Sequence, residues 1–482
     1  MGGFANYEPD RSILNPSAST YVLNVVPVAD GWGPMPDLVV YSLALPATCY
    51  GACYIRSSSG AFSVIAGTQT GLYLLNPATL AWDDISGASA PFSVPDSDRW
   101  SFAIFGTKLL ASNIGDPLQE YDVDAPATFV AVAGSPPQAK YVAVVGDFVV
   151  LAHLSGLPRR VQWSGTADHE YWTSGFRSSD YQDLPDGEDI TGLFGEEKSA
   201  VIVQRKMFRV MTFDPASGFV FRFDVANPAR GSIAPLSVVQ IGPRDFVYLC
   251  EDGFFRGIAG QPIGAERVDK TFLDAIDHED LAIVRGVADP FKKIAWYSWT
   301  TSAGVRKLLG YNWQLDRWTQ AENDIEELVA TVSLGYTLDA MDVFGELDDI
   351  AIPLDSRFWL GGAPTFAAFN TDHKLAFFAG TPKEAVMQTA DEQLSPGSRS
   401  FVSPKGIRVV TDAPTFTVKV TTSDYPGGTR TQGSSLSPST VTGLVPCRRA
   451  GLLFASEVTI PAGTAWNHAI GIDYNAIPEG QR

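Results

Sequence analysis

Cationic side chains are scarce in this sequence: 35 Lys and Arg stand against 54 Asp and Glu, for a net charge of −19. A protein that grips DNA or RNA by its phosphates needs the opposite balance, and so does one drawn to an anionic membrane surface. Histidine occurs 5 times and cysteine 4 times. Cys49 and Cys53 have no matching second pair, so the two-pair zinc signature is not met and Cys49, Cys53, Cys250 and Cys447 read as buried free thiols. No apolar run is long enough to span a bilayer. The opening Met1-Gly-Gly-Phe-Ala-Asn-Tyr-Glu-Pro has neither a basic flank nor a signal-peptide core, so a chain made in soluble form is expected, with no membrane binding. Long helix-period stretches rich in Glu, Lys, Ala and Leu are missing too.

What is present points the other way. Hydrophobic residues make up 45% and charged residues 18%, with 44 glycines and 32 prolines. That mixture suits many short strands joined by turns. Eleven Trp and 28 Phe supply large cores, and 482 residues are too many for a single one. An all-β chain of two or three domains is expected.

An internal repeat gives the architecture. Phe102-Ala-Ile-Phe-Gly-Thr-Lys-Leu-Leu-Ala-Ser-Asn113 aligns without gaps on Val142-Ala-Val-Val-Gly-Asp-Phe-Val-Val-Leu-Ala-His153, 40 residues later. Each reads as strand, tight turn at Gly106 or Gly146, then strand, and the offset is the length of one propeller blade. Val238 to Leu249 repeats the shape. Leu74-Leu-Asn-Pro-Ala-Thr-Leu-Ala-Trp82 likewise resembles Gly310-Tyr-Asn-Trp-Gln-Leu-Asp-Arg-Trp318, each with Trp six residues after Asn, as in an outer blade hairpin. Blades are expected to start near Ala61, Arg99, Ala139, Gly187, Pro235, Ala282 and Glu327, giving a β-propeller of six or seven blades. Closure of the ring with a strand from each end would decide between the two counts.

Beyond about residue 381 the pattern changes. Phe416-Thr-Val-Lys-Val-Thr-Thr alternates apolar and polar, as does much of Leu452 to Ile460, with a flexible polar loop at 423–436 between them. The expected division is a propeller over 56–380, a small β domain over 381–482, and an N-terminal arm over 1–55 packing with that domain.

The densest polar cluster holds Glu322, Asp324, Glu326, Glu327, Asp339, Asp342, Glu346, Asp348, Asp349 and Asp355, with no Lys or Arg between them. It reads as a solvated acidic loop, a cation site, a carboxylate pair for glycoside hydrolysis or a charged lumen wall. Asp168-His169-Glu170 sets a His between two carboxylates. Strand neighbours point to opposite faces, so the three could hold one ion only as a turn. Asp183-Leu-Pro-Asp-Gly-Glu-Asp189 is an acidic turn with incomplete calcium spacing, read as a blade connection. His153, His278, His373 and His468 are scattered, so no Ser-His-Asp set can be drawn. No Walker loop or dinucleotide fingerprint occurs. No catalytic residue, cofactor or metal is therefore assigned, and an interaction protein is expected over an enzyme.

Asn24-Val-Val-Pro27, Leu45-Pro-x-x-Cys49-x-Gly51-Ala52, Ala66-Gly-Thr68 and Leu72-Tyr73 resemble the opening of tail proteins from short-tailed bacteriophages. Asp348-Asp349, Pro353-Leu-Asp355 to Trp359, Gly471-Ile-Asp473 and Pro478-Glu-Gly480 extend the likeness over most of the chain. The family resembled is the β-propeller tail-tube, or nozzle, protein. The resemblance implies a virion protein, made in the host cytoplasm and placed in the tail as a six-fold homo-oligomeric ring below the head–tail adaptor. Tail fibre or needle proteins would be further neighbours, and DNA would pass through without specific binding. In that frame Asp339, Asp342, Glu346, Asp348, Asp349 and Asp355 are the candidate lumen or gate loop. An acidic lumen would repel DNA over a range of about 8–10 Å at physiological salt. The other readings are a carbohydrate- or protein-binding propeller on a particle or cell surface, and a propeller glycosidase.

Overall fold

The computed structural model describes the chain except for residues 1, 13–14, 16–17, 333–358, 360–361, 363, 395–399 and 479–482. Its dominant motif is an antiparallel sheet of four strands, which occurs seven times among the described residues. Blade 1 begins with strand Ala52–Arg56, blade 2 with Ser101–Phe105, blade 3 with Ala139–Val145 and blade 4 with Ile190–Gly195. Blades 5, 6 and 7 begin with Val239–Gly242, Arg285–Asp289 and Ile325–Val332. The chain is an all-β, seven-bladed β-propeller with an additional β domain. The first strands lie against one another between blades 2 and 3, 3 and 4, 5 and 6, 6 and 7, and 7 and 1, which makes them the inner strands.

Seven buried apolar clusters fill the ring, and each bridges a pair of neighbouring blades. Ile55, Leu72 and Trp100 join Leu109 and Tyr121 between blades 1 and 2; Leu110 and Leu118 meet Val142 and Leu151 between 2 and 3. Blades 3 and 4, 4 and 5, and 6 and 7 share clusters of the same kind. Tyr41, Val329 and Phe369 meet Val64 and Leu75 between 7 and 1. A blade alone would leave both faces wet, so burial of these faces requires the closed ring.

Closure uses both ends of the propeller segment. In blade 7, strand Lys374–Pro382 pairs with Pro36–Ala44, which arrives from the N-terminal region. Residues 36–44 and 52–55, expected in the arm, are thus in strands of the propeller. The physical reason is closure: backbone pairing of Pro36–Ala44 with Lys374–Pro382 ties the start of the propeller segment to its last blade.

The repeated motifs have definite places. Phe102–Asn113, Val142–His153 and Val238–Leu249 are inner hairpins of blades 2, 3 and 5, turning at Gly106 (φ +61°), Gly146 (φ +56°) and Arg244 (φ +52°). The two Asn…Trp motifs are outer hairpins of blades 1 and 6. Asn76 Oδ1 accepts from Ala78 N at 3.0 Å, and Asn312 Oδ1 accepts from Gln314 N and Leu315 N at 3.0 and 2.9 Å. The Trp that follows reaches the preceding blade: Trp82 Nε1 donates to Leu43 O at 3.0 Å, and Trp318 Nε1 to Ile263 O at 3.0 Å. The motif therefore encodes a turn and a link between blades.

Among the described residues, Asn6–Tyr7 and Ala18–Ser19 pair as a two-stranded parallel sheet, and the remaining strands form two larger sheets. One runs Arg449–Gly451, Ser400–Thr411, Ala469–Pro478, Gly31–Pro34 and Val25–Val28, with Gly2–Gly3 beside Ala469–Pro478. The other runs Thr431–Gln432, Thr417–Ser423, Leu453–Ile460, Ala385–Gln388 and Val22–Leu23. Their core, with Val22, Trp32, Ile407, Val418, Phe454 and Ile472, is continuous with the cluster between blades 5 and 6. Blade 6 is bolted on by its outer strand. Asn24 N donates to Gln320 O at 3.0 Å, and Arg317 Nη1 donates to Val28 O and Gly31 O at 3.1 and 2.9 Å. The Arg317 guanidinium also lies 4.4 Å from the Trp32 ring, and burial lowers its pKa to about 10.

Candidate functional site

Charged residues converge where the inner strands begin. Arg99 precedes the inner strand of blade 2, Arg285 opens that of blade 6, and Glu327 lies in that of blade 7. Glu327 is 1% exposed; its Oε2 is 3.0 Å from Arg99 Nε and its Oε1 is 2.9 Å from Arg285 Nε. A side chain touching both blade 2 and blade 6 from blade 7 must cross the inner ring, which puts this triad at the propeller's centre. Arg99 also donates to Asp98 O at 2.7 Å and covers the Tyr50 ring at 4.9 Å. Burial opposes the Arg99 charge, but the Glu327 carboxylate outweighs it and the guanidinium pKa rises. Asp98 in turn pairs with Lys140 at the start of blade 3.

Beside a bulge between Ile325 and Glu327, the adjacent glutamates serve different partners. Glu326 Oε1 accepts from Cys49 N at 2.9 Å, and its Oε2 lies 2.7 Å from His373 Nδ1. The acidic run is therefore divided. Glu322 and Asp324 are exposed, whereas Glu326 and Glu327 hold the ring together. Asp339, Asp342, Glu346, Asp348, Asp349 and Asp355 lie outside the described residues.

Asp183, Asp186, Glu188 and Asp189 have cation partners in Arg160, Arg209, Lys206 and Arg159. That acidic turn is a salt-bridged connection from blade 3 to blade 4. Residues 168–170 do form a turn. Asp168 is diverted to Arg177 at 3.2 Å, while His169 Nε2 lies 2.5 Å from Glu120 Oε2 of blade 2. Glu120, His169 and Glu170 bring potential metal-ligand atoms within 4.8 Å of one another. The four cysteines are free thiols, and burial raises all their pKa values.

An open cleft of about 840 Å³ is lined by Asp10, Arg11, Asp252, Glu266, Asp269 and Lys270, among others. Asp269 opens the helix Asp269–Ala275 and is 7% exposed. Burial raises its pKa to about 7, against the hydrogen bond from Phe254 N to its Oδ1 at 3.0 Å. A carboxyl titrating near neutrality in a cleft is a candidate acid or base. Its surroundings argue for a packing role: a Cβ at Gly253 or Gly264 would lie 2.1 or 1.9 Å from its oxygens. Asp10 is also occupied, accepting from Lys270 N and Thr271 N at 2.8 Å each. Sequence reasoning missed Asp269 and the Arg99–Glu327–Arg285 triad.

Comparison with known proteins adds little beyond the fold. No family model matches the chain, and no curated protein matches it. Among solved structures it is similar to the Cps50 (Swd1) β-propeller domain of Myceliophteria thermophila, at 11% identity and a TM-score of 0.39, covering 61% of this chain and 92% of that one. It is similar also to the computationally designed Ika8 protein, at 10% identity and a TM-score of 0.38, covering 72% and 99%. Such distant likenesses carry no functional argument.

Proposed function

We propose that this chain is a structural, non-enzymatic protein of a short-tailed phage tail, a nozzle subunit whose copies form a six-fold conduit below the head–tail adaptor. The observation that carries the reading is where the family-like residues sit. Asn24 to Pro27 lie where the two-sheet domain joins blade 6, Leu45 to Ala52 where the ring closes, and Gly471 to Asp473 beside Gly2–Gly3. These three of the segments that carry the resemblance are joints of a two-part architecture.

The central charges support a scaffold over an enzyme. A glycosidase needs two carboxylates free to act on a sugar, one with a raised pKa; Glu327 is clamped by two guanidiniums and Glu326 by Cys49 N and His373. One observation favours the second reading, a carbohydrate- or protein-binding propeller. Phe176, Tyr181, Phe213 and Phe219 on blades 3 and 4 are 65%, 42%, 40% and 74% exposed.

Mass photometry of the purified protein with its adaptor, with negative-stain microscopy of particles carrying a labelled copy, tests the proposal. Six-fold rings and label at the tail tip are the expected result. A protein that stays monomeric with its adaptor and is absent from particles overturns it and leaves the surface-binding reading.

A further inference from the structure

We propose that Glu120, His169 and Glu170 form a site for a divalent transition metal of the Zn²⁺ class, which staples blade 2 to blade 3. The inference does not depend on the nozzle reading. His169 and Glu170 follow the third strand of blade 3, and Glu120 lies in the third strand of blade 2. One imidazole nitrogen and two carboxylate oxygens, all within 4.8 Å, make a mixed donor set. Zinc takes such N and O ligands at about 2.0–2.2 Å, commonly three from protein and one from water. Imidazole favours zinc and its neighbours over calcium or magnesium, which prefer all-oxygen shells. Metal entry would replace the direct contact between His169 Nε2 and Glu120 Oε2 at 2.5 Å, and the pair would open by about 1 Å.

The cradle is held in place by residues outside the donor set. Trp172 Nε1 donates to His169 O at 2.8 Å, and the Phe105 ring packs 5.6 Å from the His169 ring. Gly134 lets the turn close on blade 2, since a Cβ there would lie 1.6 Å from Glu170 O. One cation competes. Lys108 Nζ lies 3.6 Å from Glu120 Oε1 and 3.2 Å from Asp122 Oδ2, so it can rest on Asp122 while Glu120 turns to the metal.

The test is equilibrium dialysis of the chelator-stripped full chain against Zn²⁺, with metal counted by mass spectrometry and Co²⁺ absorption reporting the ligand shell. We expect about one zinc per chain and a higher melting temperature with metal, as binding to the folded state alone requires. Glu170→Gln, at an exposed position that should not disturb folding, and His169→Gln should each weaken binding at least about tenfold. Lys108→Met should tighten it by removing a like charge. No zinc above the level bound by the His169→Gln, Glu170→Gln double variant overturns the proposal. So does a Glu170→Gln protein that binds as tightly as the parent.

Discussion

Glu327 and Asp269 are both buried carboxylates, 1% and 7% exposed, yet the protein treats them in opposite ways. Glu327 meets two guanidiniums drawn from blades 2 and 6. Asp269 has one backbone amide and two close glycines, with Asp10 and Asp252 raising its pKa further. A carboxylate taken out of water either finds counter-ions or keeps its proton. The first arrangement links three blades across the ring centre. The second fills a local gap between a helix and blade 5. Long-range order and local packing thus call on the same chemical group with different charge.

Replacing Glu327 should break the comparison most severely. Glu327→Gln would strand Arg99 and Arg285 without their anion, and removing one partner of a buried pair costs about 3–5 kcal/mol. Urea unfolding at pH 7 should show that loss, and unchanged stability would show that the triad is not an ionic lock.

The change at Asp269 should have the opposite sign. Its folded pKa of about 7 lies above its ordinary value of 3.8. Between those values the folded state keeps the proton that the unfolded state has lost, so stability falls as pH rises from about 4 to 7 and then levels off. Asp269→Asn keeps an acceptor for Phe254 N and removes the ionisation. It should stabilise the protein at pH 8 by on the order of 3 kcal/mol and flatten the decline, as melting temperatures across pH 4–8 would reveal.

The sequence exposed one of these two arrangements by its edge only. Expected blade starts at Arg99, Ala139, Ala282 and Glu327 fall within a few residues of the actual inner strands. The charged residues near those expected starts, Arg99, Lys140, Arg285 and Glu327, were the one available hint of a central cluster. Their pairing was beyond reach, because it joins residues 99 and 327 through closure of the whole propeller. The bulge at Ile325 breaks strict alternation as well, so Glu327 reads as part of an acidic loop. Asp269 left no signal, since the glycines that enclose it, Gly253 and Gly264, look like ordinary turn residues. The assignment of Pro36–Ala44 was missed for a related reason: a closing strand pairs with residues more than 300 positions away and carries no repeat of its own.

Removing one cation should divide the Glu327 effect. Arg99→Met keeps much of the side-chain volume over Tyr50 and leaves Arg285 on the carboxylate. A loss of about 2 kcal/mol is expected, smaller than for Glu327→Gln because a counter-ion remains. A double-mutant cycle between the two positions checks this; a coupling near zero would mean that Arg285 alone neutralises the site.

Asp412 supplies a third case, with the smallest expected effect. Burial by itself would raise its pKa, but the amides of His468 and Asn467 and the Asn467 side chain reverse that and bring it to about 2. Asn467 N and His468 N each donate to its Oδ1 at 3.0 Å. Here hydrogen-bond donors stabilise the charge without an arginine. Because the folded pKa is depressed, this stabilisation is present above about pH 4 and is lost as pH falls through 2. The site is partly exposed, so Asp412→Asn should cost only about 1 kcal/mol at pH 7. The variant and parent should converge in melting temperature as pH falls from 4 towards 2. If the gap persists there, the Asp412 contribution is geometric, a loop clasp independent of charge, and amides alone do not perform the service that Arg99 and Arg285 give Glu327.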